Sequence, residues 1–178
     1  CSNPGNTVNP APLYRMPFGQ IFVRSVSTSA IGIAEGALEA YREVVGARVS
    51  QADASKGAQD PTSQSVCAEA AATIDECKLV LRRNISALMD AAVAGDKLSV
   101  EERVAFRYHS SAAVAKCIGA VDNLFTYAGS RAIFRDHPMN RFFQDIHACR
   151  AHYANNPGKP GRNYGGLSLG QKNTDFFI

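Results

Sequence analysis

Residues 61–95 read PTSQSVCAEAAATIDECKLVLRRNISALMDAAVAG, and this stretch decides the fold class. Asp60 precedes it as a helix-capping residue, and Pro61 takes the first helical position, where its missing N–H costs nothing. Gly95 follows, at the position where a glycine commonly ends a helix. Between these signals apolar residues recur every three or four positions, at Ala70, Ile74, Cys77, Leu81, Ile85, Leu88 and Ala92. The stretch is therefore predicted to be a long amphipathic helix of a bundle.

The segments on either side show the same helical period. Ser99 and Glu102 form a capping box that starts a helix predicted over 100–128. This helix carries two apolar stripes, which predicts that it packs on two sides. Towards the start of the chain, apolar residues at helical spacing predict another long helix over 18–48. A polar loop is expected at 49–60, between this helix and the one that begins at Pro61.

A fourth, shorter helix completes the predicted fold. Pro138 opens it after a helix break, and its apolar period runs over 139–155. The chain shows no internal repeat and no convincing strand alternation. The prediction is an all-α protein built as an antiparallel four-helix bundle, with a lead-in at 1–17, a bundle domain at 18–156 and a tail at 157–178.

The composition limits the possible functions. A chain of 178 residues, 46% hydrophobic and 20% charged, is long enough to bury one core. The net charge of +3 is too small to indicate nucleic acid binding, and no uninterrupted apolar run reaches the roughly 18 residues that span a membrane. Five scattered cysteines without a C-x-x-C pair argue against a disulfide framework or a metal site, and favour a cytoplasmic setting.

The segment 127–156, YAGSRAIFRDHPMNRFFQDIHACRAHYANN, is the part of the chain that looks most like a functional site. It holds four arginines and three of the four histidines of the chain. His147 and His152 are five positions apart, so on one helix they point about 140° from each other and do not share a metal ion. Sequence motifs of hydrolases, P-loop proteins and di-iron proteins are missing.

Structural roles are open for the same residues. His152, near a predicted helix end, would act as a capping residue, and the arginines would form surface ion pairs of little energetic weight. Arg141 and Asp145, four apart, are expected to form a helix-stabilising or interdomain ion pair. Gly32 and Gly36 lie on one helix face and either admit a close neighbour or are merely tolerated. Packing roles are expected for Phe142, Phe143 and Ile146.

Two segments carry a resemblance to a known family. Residues 127–156, together with 12–48, PLYRMPFGQIFVRSVSTSAIGIAEGALEAYREVVGAR, resemble the C-terminal helical domain of two-component flavin-dependent aromatic monooxygenases. This family, which includes 4-hydroxyphenylacetate and secosteroid hydroxylases, is similar to acyl-CoA dehydrogenases in fold. Its members have an N-terminal helical domain, a β domain and a C-terminal four-helix domain. Only the last is present here, so the chain is expected to be the C-terminal part of a longer protein.

The resemblance implies an enzyme that hydroxylates a phenolic substrate with O2. In this family a separate reductase supplies reduced FMN or FAD, and a flavin C4a-hydroperoxide hydroxylates the phenol at the ortho position. Homotetramers form through the C-terminal helices, with the flavin between subunits. The chain alone is expected to be inactive, because the β domain supplies the other half of the flavin pocket.

The resemblance also implies roles for five residues. Ser130 and Arg131 are expected at the flavin, as a hydrogen-bonding turn residue and as a cation whose planar fork suits phosphate. Arg48 corresponds to an arginine that contacts the flavin phosphate in relatives. His152 matches the histidine beside the reactive edge of the flavin, where it would help to transfer a proton, and Tyr153 would lie next to it.

Two other functions are possible on the same fold. One is an acyl-CoA dehydrogenase-like flavoenzyme or a different flavin-dependent monooxygenase. No residue here matches the glutamate with which the dehydrogenases abstract a proton, which favours oxygen chemistry. The other is a non-catalytic helical oligomerisation module.

Overall fold

The computed structural model describes residues 4–49 and 56–178. It contains the helices α1 (Pro4–Val8), α2 (Phe18–Ala47), α3 (Pro61–Ala94), α4 (Val100–Ala128), α5 (Pro138–Arg150) and α6 (Gly158–Ser168). Four 3-10 turns cover Pro12–Arg15, Gly57–Gln59, Ser130–Ile133 and Tyr153–Asn155. These described residues form no strand beyond an isolated bridge between Val49 and Lys56. The all-α prediction is confirmed. Part of the loop expected at 49–60, namely 50–55, lies outside the described residues, as does Cys1.

The four longer helices enclose one apolar core. α2 contacts α3, α4 and α5, while α4 also contacts α3 and α5. Tyr41, Leu124, Met139 and Ile146 are fully buried at the centre. Each such side chain stabilises the fold by roughly 1.5–3 kcal/mol relative to its exposed state. Successive helices run antiparallel, as the pairs Glu76–Lys116 and Asn84–His109 show for α3 and α4, and the predicted four-helix bundle is confirmed.

Local capping signals fix the ends of α3 and the start of α4. The Asp60 carboxylate accepts a hydrogen bond from the Ser63 backbone N–H at 2.8 Å. Gly95 ends α3 with φ of 79°, in the left-handed region that favours glycine. At α4 the Glu102 backbone N–H donates to the Ser99 hydroxyl at 3.2 Å, and the Ser99 N–H donates to the Glu102 carboxylate at 2.9 Å. These predicted helix ends are therefore confirmed.

The chain after α5 differs from the prediction in two ways. α5 ends at Arg150 rather than near Asn155, because the His152 side chain accepts the Ala154 backbone N–H at 3.2 Å and starts a separate 3-10 turn. The expected tail at 157–178 contains α6, which packs on α4. α6 is held by tertiary contacts, including a Tyr164 ring stacked on Tyr108 with 5.5 Å between centroids.

A polar layer interrupts the core near one end of the bundle. It separates the main apolar cluster from a smaller one around Met16, Leu88 and Phe106. Its buried members are Gln20, Arg24, Ser27, Asn84, Arg107, Ser110 and Ser111. Burial lowers the pKa of Arg24 to about 10, so this arginine stays protonated at neutral pH. The sequence periodicity did not predict this layer.

One helix meets a simple criterion for a membrane span. In the described part of the chain, α2 alone is long and apolar enough to cross a membrane, judged by length and composition. The core helix of a soluble protein passes the same test, and α2 buries one face against the bundle. The expectation that the chain has no membrane partner therefore stays a prediction.

Candidate functional site

Arg48 lies where three helices meet. Its Nη1 donates to the Tyr127 carbonyl oxygen at 3.3 Å, and its Nη2 donates to the Ser63 hydroxyl at 3.1 Å. The Ser63 hydroxyl in turn donates to the Asp60 carboxylate at 2.7 Å. These bonds tie the end of α2 to the start of α3 and the end of α4. Two guanidinium nitrogens of Arg48 thus form hydrogen bonds within the chain.

Ser130 and Arg131 follow directly on the helix end that Arg48 contacts. α4 ends at Gly129, whose φ of 100° is one that other residues rarely adopt. The backbone then turns into the 3-10 segment Ser130–Ile133, on which both side chains are exposed. Arg48, Ser130 and Arg131 form one cluster, called here the α4-end group.

His152 and Tyr153 lie on a different turn. Both side chains are exposed, and the His152 Nδ1 is occupied as the acceptor of the Ala154 N–H. A neutral imidazole with an accepting Nδ1 carries its proton on Nε2. The His152 turn (residues 152–155) therefore presents a donor N–H away from its own backbone. The Tyr153 hydroxyl accepts from the Lys159 ammonium at 3.4 Å.

Two buried side chains hold the His152 turn in place. Arg107 of α4 is 3% exposed, and its Nη1 donates to the Ala154 carbonyl oxygen at 3.0 Å. The Asn155 amide donates to the Cys149 carbonyl oxygen at 2.8 Å, which anchors the far side of the turn to α5. Burial lowers the pKa of Arg107, and the nearby Asp175 and Tyr153 oppose that shift. The turn is thus clamped from α4 and from α5.

Aromatic rings line one side of His152. Its imidazole lies 6.1 Å from the Phe22 ring, between centroids. Phe22 in turn meets Phe177 edge-on at 5.6 Å, and Phe18 lies within 5.8 Å of Phe22. Sequence reasoning missed these rings. The contact between Phe22 and Phe177 has no signal in the sequence, because it depends on how the chain after α6 folds back onto α2.

The five predicted residues do not form one site within one chain. His152 lies beside Phe22, near the start of α2, whereas Arg48 follows the last residue of α2. At about 1.5 Å per residue, these two points are about 38 Å apart along the helix. That distance exceeds the length of an extended flavin. The α4-end group and the His152 turn of one chain therefore cannot both contact a single flavin.

Several other polar residues of segment 127–156 have structural partners. His137 caps α5 by accepting the Met139 N–H, and the His147 Nε2 lies 2.8 Å from the Asp122 carboxylate. The predicted pair of Arg141 and Asp145 is confirmed at 3.5 Å, on the exposed face of α5. The predicted packing of Ile146, Phe142 and Phe143 is also found: the first is buried, the second packs on the core, and the third stacks on Phe125.

The chemistry of both groups fits a flavin. The α4-end group offers the exposed Arg131 guanidinium and the Ser130 hydroxyl, which suit a phosphate. The His152 turn offers an N–H donor beside aromatic faces, which suits the polar edge of a planar ring. Among the described residues, no group of three His, Cys, Asp or Glu side chains could hold a metal ion.

Comparison with known proteins identifies the family. Residues 25–157 match the family described as acyl-CoA dehydrogenase, C-terminal domain. The chain belongs to this family.

Similar proteins of known activity are oxygenases. The chain is 35% identical over 176 residues to the oxygenase subunit HsaA of a flavin-dependent monooxygenase from Rhodococcus jostii, covering 98% of this chain and 46% of that protein. It is 31% identical to the oxygenase component of an FADH2-dependent resorcinol hydroxylase from Rhizobium, covering 89% of this chain and 41% of that one.

A solved structure supports the same relationship. The crystal structure of 3-HSA hydroxylase from Rhodococcus superimposes with a TM-score of 0.90 and 32% identity, covering 98% of this chain and 45% of that one. The resemblance seen in the sequence is therefore confirmed. The chain spans about half the length of the relatives it matches.

Proposed function

We propose that this chain is the C-terminal domain of the oxygenase component of a two-component monooxygenase that hydroxylates a phenolic substrate with O2. The observation that carries the proposal is the His152 turn, which presents an imidazole N–H beside aromatic rings. The family match and the similarity to HsaA and to a resorcinol hydroxylase support it. The full-length protein would act with a separate flavin reductase.

The residues of this chain have distinct roles in that reaction. Reduced FMN or FAD, when bound, activates O2 for transfer to the aromatic ring. His152 would donate a hydrogen bond through its Nε2–H to an oxygen atom at the reacting centre and would help to pass a proton from solvent to that oxygen. Tyr153 lies beside His152, and Arg107 keeps the turn in place.

The α4-end group has a separate role. Arg131 and Ser130 would hold the flavin phosphate, with Arg48 behind them as the residue that fixes the end of α4. Because about 38 Å separate this group from His152 along α2, both would contact one flavin only if it lies between two subunits.

The assembly and location follow from the same proposal. Ile133 and Phe134, next to Arg131, are 64% and 57% exposed, which is an apolar surface of the kind that subunit contacts cover. We place the protein in a homotetramer in the cytoplasm, without a nucleic acid or membrane partner. Gel filtration of the full-length protein checks the oligomeric state.

A coupling assay, which compares oxygen consumed with product formed, tests the function. Full-length protein, given its reductase, NADH and a panel of phenols, is expected to couple oxygen consumption to hydroxylation. His152→Ala should uncouple the two, whereas the control His147→Ala, which changes a structural histidine of the same segment, should not. Oxygen consumption without hydroxylation of any aromatic compound, together with unchanged coupling in His152→Ala, would contradict the proposal. Reduction of the flavin by an acyl-CoA would instead indicate a dehydrogenase.

A further inference from the structure

Residues 173–178 fold back onto the bundle through specific bonds. The Asn163 side chain of α6 accepts the Thr174 N–H at 2.8 Å and donates to the Asn173 side chain at 2.8 Å. Asp175 is 3% exposed, and its carboxylate accepts the Phe177 N–H at 3.0 Å. Arg103 of α4 donates to the Ile178 carbonyl oxygen at 3.4 Å. The segment thus has a fixed path.

That path touches α2 at a glycine. A Cβ atom added to Gly19 would lie 3.0 Å from both the carbonyl carbon and the carbonyl oxygen of Phe177. The backbone of residues 173–178 therefore approaches α2 more closely than a side chain at this position permits. This contact fixes the position of Phe177 relative to the first turn of α2.

The Phe177 ring extends the aromatic surface beside His152. It meets Phe22 at 5.6 Å and Phe18 at 6.1 Å, both nearly edge-on. Phe22 then lies between Phe177 and the His152 imidazole. Phe22 and Phe177 are half-buried and Phe18 is 66% exposed, so this chain leaves part of each ring uncovered. We call Phe22 and Phe177 the aromatic wall.

The chemistry of the aromatic wall favours one kind of ring. Phenylalanine rings bind another ring through stacked or edge-on contacts and offer no hydrogen bonds. The pyrimidine part of a flavin carries carbonyl and ring nitrogen atoms that need polar partners, which the wall lacks. A phenol ring needs an apolar surface, and the aromatic wall offers one next to His152, where the oxygen atom would be transferred.

We propose that the aromatic wall binds the ring of the phenolic substrate, and that Phe177 sets which ring sizes the site accepts. This inference rests on the proposed function and deepens it. It assigns residues 173–178, expected from the sequence to be only part of a tail, to the substrate site.

Steady-state kinetics of the full-length enzyme with its reductase tests the inference. Phe177→Ala is expected to raise KM for a monocyclic phenol roughly tenfold, with little change in kcat at saturating substrate and no change in reduced flavin affinity. For bulkier phenols KM should rise less in this variant. The matched control is Phe176→Ala: this neighbour is the same residue type and is 89% exposed, and its ring meets Phe177 at 6.0 Å without being part of the wall. Its KM should stay at the wild-type value.

A second variant tests the position of the segment without removing the ring. Gly19→Ala should displace residues 173–178 and raise KM in the same direction, while circular dichroism shows the helices intact. An unchanged KM in Phe177→Ala, or a change in flavin affinity in place of KM, would overturn the inference while leaving the proposed function standing. If the wild-type enzyme hydroxylates no aromatic compound, the proposed function itself fails.

Discussion

His152 uses one ring nitrogen to build its turn and the other to face outward. The Nδ1 accepts the Ala154 N–H, and the Arg107 guanidinium donates to the Ala154 carbonyl oxygen at 3.0 Å. A capping histidine and a histidine that donates a hydrogen bond are therefore compatible roles for one side chain. The structural role fixes the tautomer that the proposed chemical role needs.

Removing the Arg107 guanidinium should loosen this turn. In Arg107→Leu the Ala154 carbonyl oxygen loses its donor, so hydrogen exchange at the Ala154 amide should accelerate and the His152 tautomer should become mixed. Nitrogen chemical shifts of the imidazole and amide exchange in the 178-residue chain measure both effects. Arg82→Leu, at an exposed arginine of α3, is the control and should change neither. Wild-type exchange in Arg107→Leu would show that the turn holds without this bond.

Two glycines of α2 give a second prediction at the residue scale. A Cβ added at Gly36 would lie 2.5 Å from the Phe142 ring, whereas one added at Gly32 meets nothing within 4 Å. Gly36→Ala must displace that ring and should lower the free energy of unfolding by about 1–2 kcal/mol. Gly32→Ala should raise it by roughly 0.5–1 kcal/mol, because alanine favours the helix. Urea denaturation measures the free energy of unfolding of both variants. Equal changes in the two would contradict the contact between Gly36 and the Phe142 ring.

At the scale of elements, the start of α4 depends on short-range chemistry. The Glu102 carboxylate accepts from both the hydroxyl and the N–H of Ser99, and these bonds lower its pKa from the ordinary 4.5. A lowered pKa in the folded state stabilises the protein above the unfolded pKa. That stability is lost as the pH falls through the folded pKa.

Ser99→Ala should therefore have a pH-dependent effect. At pH 7 we expect it to lower the free energy of unfolding by about 1 kcal/mol, because the cap is lost. The difference from wild type should shrink as the pH falls below 4.5, where Glu102 becomes protonated in both proteins. Chemical denaturation at several pH values measures it, with Ser86→Ala at an exposed position inside α3 as the control. A difference that does not depend on pH would rule out the carboxylate contribution.

Elements also differ in how far the sequence specifies them. The residues that cap α3 and α4 lie next to the helix ends that they fix. Local sequence patterns therefore predicted both helices. α6 contains four glycines in eleven residues and has poor helix propensity, and it forms because Tyr164 and the buried Asn163 fix it against neighbouring parts of the fold. Its existence could not be predicted from local pattern.

At the scale of the whole molecule, the length of α2 separates the two groups proposed to bind flavin. The α4-end group lies at one end and the His152 turn near the other, about 38 Å apart. Under the proposed function, a complete site then needs the α4-end group of one subunit and the His152 turn of another.

Mixed oligomers test that arrangement. Full-length Arg131→Ala and His152→Ala variants should each be impaired alone. When coexpressed they should regain part of the wild-type hydroxylation, because some sites then combine an intact Arg131 with an intact His152. Coexpression of Arg131→Ala with Ser130→Ala is the control and should restore nothing, because both changes fall in the same group. Failure of the first mixture to regain activity would remove one of the two groups from the flavin site.

The sequence by itself determined the helical class, the capping residues and the resemblance that singled out Arg48, Ser130, Arg131, His152 and Tyr153. These depend on neighbours within one helical turn or on a family pattern. Only the tertiary structure decided that these residues form two distant groups, that Arg107 clamps the His152 turn, and that Phe177 reaches Phe22. The physical reason is that such contacts join residues far apart in sequence, and the packing of whole helices sets their distances.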